Sequence, residues 1–179
     1  MQQQLPQGIS IREEQVQDQD GIRQVNRIAF DGEYEAAVVD RLRENCSTIL
    51  SLVAKDGEAV VGHILFSPAH IIQPQGGSIS GMGLGPLAVL PGYQGLGIGA
   101  ALSQTGLKRM ELGGYPFVVV LGHPNYYPRF GFEKASTYGI RSAFKDVPEE
   151  AFMICIINRE VMDNVSGVAH YREEFNSTI

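Results

Sequence analysis

The residues Gln94-Gly95-Leu96-Gly97-Ile98-Gly99 are the ones whose types and spacing most directly suggest chemistry. They follow an apolar, glycine-spotted stretch that begins at Ser78 and ends in Leu87-Ala88-Val89. Beyond them Ile98, Ala101, Leu102, Thr105, Gly106 and Leu112 share one helical face, with Gln104, Lys108 and Glu111 opposite. The pattern predicts a strand, a loop and the start of a helix. The first turn of a helix carries N–H groups without intrahelical partners and the positive end of the dipole, so it attracts phosphate. Glycines at 95, 97 and 99 remove the side chains that would hold a bulky anion away, although the same residues also suit a loop with no ligand.

What the loop lacks narrows the ligand. A nucleoside-triphosphate loop needs Lys-Ser or Lys-Thr at the opening of its helix, and here Gly99 is followed by Ala100, Ala101 and Leu102. A dinucleotide fold wants a carboxylate at the end of the next strand to hold a ribose. Phe117-Val118-Val119-Val120-Leu121 runs instead into Gly122-His123-Pro124.

Gln94-x-x-Gly97-x-Gly99 after an apolar strand resembles the acetyl-CoA pyrophosphate loop of the Gcn5-related N-acetyltransferases (GNAT). Tyr127-Pro128-Arg129-Phe130-Gly131-Phe132 resembles that family's second signature, a tyrosine four residues before Gly-Phe. The likeness is specific from about Ser78 to Phe132, and within the family it is similar to bacterial acetyltransferases of unassigned substrate. It implies an α/β (α+β) fold: a mixed, mostly antiparallel sheet of six to seven strands flanked by about four helices. A central parallel strand pair is splayed to admit CoA. It implies acetyl-CoA as cosubstrate, with Leu87, Ala88 and Val89 pairing with the pantetheine arm and Gln94, Gly95, Leu96, Gly97, Ile98 and Gly99 around the diphosphate. Many members carry an Asn several residues before the Tyr on a longer helix. Here little more than Asn125 to Phe130 can be helical, and Asn125 is the candidate to replace that contact.

The implied reaction is attack of an acceptor amine on the thioester carbonyl, with main-chain N–H groups near Leu87 to Val89 facing the developing oxyanion. Tyr127 is the candidate acid for the departing thiol, since a phenol with pKa near ~10 is matched to that leaving group. An alkyl amine of pKa ~10.4 is neutral in fewer than about one in a thousand molecules at pH 7, a penalty of roughly 4 to 5 kcal/mol that a base would offset. No Glu, Asp or His lies between Ser78 and Val89, so His63, Glu33, Glu35 and His123 form the shortlist. In the family a helix pair covers the acceptor, which makes Phe30, Glu33, Tyr34 and Glu35 candidate lining residues beside His63 and His123. A solvated helix connection explains the first four equally well. An alternative is a non-catalytic acyl-CoA sensor or interaction domain of the same fold, and a third is an unrelated nucleotide binder.

Composition limits the partners. Of 179 residues 44% are hydrophobic, which suits one domain over 1–179, with a cofactor-binding core at about 78–132 and a tail from about 161. Fourteen Lys and Arg against twenty Asp and Glu give a net charge of −6, with no basic run longer than a pair, so neither nucleic acid nor an anionic membrane is an expected partner. A small-molecule or protein amine fits that balance. Met1-Gln2-Gln3-Gln4 is polar and no segment is long enough to cross a bilayer, so a soluble, cytoplasmic protein is expected. Cys46 and Cys155 stand far apart, outside any Cys-x-x-Cys, and the four His lack ligand spacing, so no metal is expected.

The elements that must position these residues read in order. Ser10 to Glu13 is a short strand. Asp18 or Asp20 caps a helix with Ile22, Val25 and Ala29 on its apolar face, and Glu35 to Glu44 is a second helix. Ile49 to Ala54 and Ala59 to Phe66 form a hairpin about Asp56-Gly57, extended by Ile71-Ile72. Gly81, Gly83, Gly85 and Pro86 predict a bulge or a close backbone approach in the next strand. Phe117 to Leu121 is a buried parallel strand reached by a right-handed crossover. Glu133 to Thr137 begins another strand that can pair with Phe152 to Ile157. The tail suggests no chemical role. Exposed strand edges make a homodimer a reasonable expectation.

Overall fold

A computed structural model describes residues 5–176, so the Met1–Gln4 segment lies outside the described residues. The elements run β1 (Ile9–Glu13), α1 (Gln19–Phe30), α2 (Tyr34–Asn45), β2 (Leu50–Asp56), β3 (Ala59–Ile72), β4 (Ser78–Val89) and α3 (Ile98–Leu112). There follow β5 (Phe117–Leu121), β6 (Glu133–Lys134), β7 (Ile140–Ser142), β8 (Phe152–Ile156) and β9 (Gly167–His170). The sheet is mixed and mostly antiparallel, with β4–β5 and β7–β9 parallel. Among the described residues it has nine strands rather than six or seven, because the tail supplies β9 and the excursion after Tyr138 supplies β7. Among the described residues there are three α-helices rather than about four. The segment expected to be the fourth is a 3-10 turn, Tyr127–Phe130, with Pro128 inside it and Gly131 at φ +88° ending it.

The chain divides into two compact units. Among the described residues, one comprises those up to Phe66, Pro86–Gly106 and 174–176; the other comprises Ser67–Gly85 and Leu107–Glu173. In the first unit, β1 pairs antiparallel with β2 and β2 with β3, with an irregularity at Ala54/Lys55. Ile22 and Val25 of α1 meet Val38, Val39 and Leu42 of α2 over Val53, Val60, Leu65 and Ala88. Each helix therefore buries an i, i+3/i+4 face on the sheet. Asp31 at φ +52° ends α1. Asp18 has a fully buried side chain that takes two hydrogen bonds from Arg12 and one from Lys55 at 3.1 Å.

Glycines set how closely α3 lies on β3. A Cβ at Gly62 would stand 3.1 Å from both Ile98 and Leu102, and one at Gly106 only 2.2 Å from the ring of Phe66. The buried face of α3 carries Ile98, Leu102 and Met110. Leu112, expected on that face, is 73% exposed, because it lies off the buried i, i+4 row of Ile98, Leu102, Gly106 and Met110.

In the second unit β5 pairs parallel with β4 from Met82↔Val118 to Leu84↔Val120 and antiparallel with β8 along its whole length, and β6 joins β8. β9 runs antiparallel to the end of β3, with His70 opposite His170. Gly81 and Gly83 make room for rings, not for a neighbouring backbone: a Cβ there would meet Phe117 at 2.6 Å and Tyr171 at 2.5 Å. Phe117, Val119, Ile140, Phe152 and Ile154 centre this core.

Candidate functional site

The candidates divide between the units, and each group is built by its own local sequence. In the first unit, alternation along the end of β4 buries Pro86 and Ala88 and leaves Leu87 and Val89 half-buried on the other face. The Leu90 amide closes this end by donating to Val61 at 2.9 Å. A single 3-10 turn, Pro91–Tyr93, then leads to the glycine loop. Gln94 folds back, its side-chain amide donating to the Val89 carbonyl at 3.0 Å, so this side chain ties the loop to the strand. Gly95 and Gly97 take φ of +76° and +83°, a backbone only glycine adopts without strain.

A Cβ at Gly95 would meet nothing within 4 Å, and Leu96 is 45% exposed, so the loop faces open space. The Ala101 amide makes a helical bond, to Gly97 at 3.0 Å, and the amides of the first turn before it have no intrahelical acceptor. No acidic residue occupies that turn. A bare, uncrowded helix start of this kind fits a diphosphate.

The helix-pair candidates are also in the first unit. Phe30 is 41% exposed at the end of α1. Glu33 pairs with Arg23 and Arg27, exposed contacts worth little energetically. Glu35 is half-buried in the first turn of α2. The Tyr34 hydroxyl donates to the Phe175 carbonyl, and Arg41 donates to Glu174 at 3.1 Å, so the last described turn is fastened to α2.

His63 has no exposed surface at all. Its Nδ1 lies 3.0 Å from the Asn26 side-chain nitrogen, which also donates to Ile22 at 2.9 Å; its Nε2 lies 2.9 Å from Ser51 Oγ. Ser51 gives its one proton to the Glu14 carboxylate, which Arg43 also holds. A carboxylate only accepts, so Ser51 must receive its other bond from His63, which fixes a neutral ring with the proton on Nε2. Burial first, and Arg43 second, push the pKa of His63 down to about 3. It therefore lacks the basicity that an amine-activating group needs. The network was missed in the sequence because Asn26, Arg43 and Ser51 are spread over α1, α2 and β2, and Glu14 follows β1. Asn26 Oδ1 stays buried with no protein partner among the described residues.

The second unit holds the tyrosine signature. Gly122 donates to Ala151 at 2.9 Å and Tyr126 to His123 at 3.0 Å, which forms a tight turn with His123 and Asn125 exposed on it. Tyr127 is 8% exposed, edge-on to Tyr126 and Phe132 with ring centroids 5.0 and 5.6 Å away. Its ring sits over Gly122, where a Cβ would come within 2.4 Å. Burial, with the neighbouring Tyr126, pushes its hydroxyl well above the ordinary tyrosine value, away from the range expected for a match to a thiol. Sequence reasoning also passed over Tyr171, just after β9, whose hydroxyl lies 3.0 Å from both the Leu84 and the Val119 carbonyl oxygens. The alternating burial of Gly167 to His170 before it is seen in the structure and has no counterpart in the residue types.

Residues 10–135 match the family described as an acetyltransferase (GNAT) domain. Over 160 residues the chain is 37% identical to an uncharacterized N-acetyltransferase, YhbS, of Escherichia coli strain K12, covering 89% of this chain and 93% of that one. The crystal structure of the E. coli GNAT family N-acetyltransferase YhbS in complex with CoA matches with a TM-score of 0.87 at 36% identity, over 94% of this chain and 92% of that one. A GNAT family acetyltransferase from Brucella melitensis in complex with acetyl-CoA matches with a TM-score of 0.76 at 35% identity, over 93% and 97% of the two chains.

Proposed function

Because the chain belongs to the GNAT family of acetyltransferases, we propose that it works as one domain that transfers an acetyl group from acetyl-CoA to a primary amine by direct attack. The observation that carries the reading is the uncrowded glycine loop opening α3, reached from a strand that runs on to Val89 after its parallel register with β5 ends at Leu84. Acetyl-CoA supplies an activated acyl thioester. First-turn amides of α3 with Gly95 and Gly97 receive the diphosphate, and the main chain of Leu87 to Val89 receives the pantetheine arm and faces the carbonyl oxygen.

As the amine nitrogen bonds to the acyl carbon the C–S bond breaks, and the proton lost by nitrogen ends on sulfur. Tyr127 holds its own proton more tightly than a thiol does, so it steadies the departing sulfur as a hydrogen-bond donor. Glu33, Glu35 and His123 remain the candidates to take the ammonium proton, directly or through water, with Phe30 and Tyr34 beside the acceptor. Asn125 faces the cofactor.

Thermal shift with CoA, acetyl-CoA, ATP and NAD tests the reading. A ligand at about 100 Kd adds roughly 2.7 kcal/mol. The expected result is stabilisation by CoA and acetyl-CoA only, lost in Leu96→Glu, which puts a carboxylate in the loop without straining a glycine. Tyr127→Phe should then lower turnover in an amine screen while CoA still binds. CoA binding with no turnover of any amine in wild type would favour the sensor reading, turnover unchanged in Tyr127→Phe would remove Tyr127 from the chemistry, and no shift with acetyl-CoA at saturation would sink the acetyltransferase.

A further inference from the structure

Tyr171 touches main chain on both strands of the parallel pair. Its ring lies flat enough on β4 that a Cβ at Gly83 would be 2.5 Å from Cε1. Its hydroxyl is 3.0 Å from the Leu84 carbonyl oxygen on β4 and 3.0 Å from the Val119 carbonyl oxygen on β5. The Leu121 amide hydrogen-bonds to the same oxygen. One phenol thus shares its proton between two carbonyls and accepts a third main-chain group, at the place where the register ends with Leu84↔Val120. In a regular ladder carbonyls and amides of adjacent strands satisfy one another. Here a side chain from the end of β9 substitutes for part of that pairing.

Main-chain groups buried at the end of a ladder must find partners or carry an uncompensated desolvation cost. Tyr171 supplies those partners without drawing the strands together, as a further rung would. We infer that Tyr171 is a positioning residue for the coenzyme: by holding Leu84 and Val119 on its hydroxyl, it fixes the end of the β4–β5 ladder so that the following main chain of β4 is kept free for the pantetheine arm. The inference rests on the proposed acetyl-CoA reading and adds to it a residue outside both signature motifs. Tyr171 does not touch the reacting atoms in this account. Its influence passes through the direction of β4, three residues before Leu87.

The test compares Tyr171→Phe with wild type by titration calorimetry, using CoA and adenosine 3′,5′-bisphosphate, the half of the coenzyme without the arm. The phenylalanine keeps the ring on Gly83 and removes only the hydroxyl. Expected is an at least fivefold loss of CoA affinity with bisphosphate affinity unchanged within twofold, together with faster amide exchange at Leu121. Gly83→Ala, which displaces the ring, should show the same selective loss. Unchanged CoA affinity in Tyr171→Phe, or equal losses for both ligands, would overturn the positioning role. If wild type binds neither ligand, the acetyl-CoA reading fails first and takes the inference with it, an outcome distinct from a failure confined to the variants.

Discussion

His63 makes the folded protein sensitive to mild acid, and the size of the effect follows from its surroundings. The ring is buried, neutral and bonded at both nitrogens, with a pKa of about 3 against 6.5 in an unfolded chain. The unfolded state therefore binds a proton that the folded state refuses, so this contribution to stability is complete above pH 6.5 and is lost as pH falls toward 3. Between pH 7 and pH 5 the loss is about 2 kcal/mol, from roughly one and a half decades of proton concentration at about 1.4 kcal/mol each. Carboxylates titrate mainly below this window. His63→Gln is the matched perturbation: its amide oxygen can accept from Asn26 and its nitrogen donate to Ser51, but it does not titrate. Urea denaturation at both pH values should show wild type losing about 2 kcal/mol more than the variant. Equal losses in the two proteins would refute the neutral ring.

Two further outcomes follow from packing and charge. Gly106→Ala gains about 1 kcal/mol of helix propensity but forces a methyl to 2.2 Å from the Phe66 ring. Overpacking costs about 1–3 kcal/mol, so the variant should be the less stable in chemical denaturation, and a more stable variant would refute the tight α3–β3 contact. The hydrogen bonds from Arg12 hold Asp18 down at about 2, against its burial. That stabilisation is present above about pH 4 and is lost as pH falls through 2, so Asp18→Asn should be less stable at neutral pH and lack that acid step in a pH-resolved melting series.

The elements whose signals are local were legible in the sequence. Asp56-Gly57 marked the β2–β3 hairpin, the spacing of Ile22, Val25, Val38 and Leu42 marked the faces of α1 and α2, and the run from Phe117 to Leu121 marked β5. The glycine loop fell at the start of α3, as its composition demanded. What could not be read depends on residues far apart in the chain. Hydrophobic periodicity placed Leu112 and not Met110 on the buried face of α3, because in a helix apolar on several sides it does not say which row meets the sheet. His63 looked like a candidate base until Asn26 and Ser51 were seen to enclose it. Tyr127 kept its place in the signature, but its acidity is set by burial and not by its identity. The tail had no recognisable role because the partners of Tyr171 are main-chain atoms, which carry no sequence signal.

The glycines beneath Phe117, Tyr171 and Tyr127 bear on how this chain changes through descent. Each of Gly81, Gly83 and Gly122 forms with its ring a two-site unit of heredity, since a side chain gained at the first site leaves no room for the ring at the second. Lineages should therefore cross between glycine–aromatic and larger–smaller combinations only through a weakened intermediate. Gly83 and Tyr171 should drift together despite lying in different elements. A substitution at 83 that looks conservative in one relative can then be harmful in another that still carries tyrosine at 171.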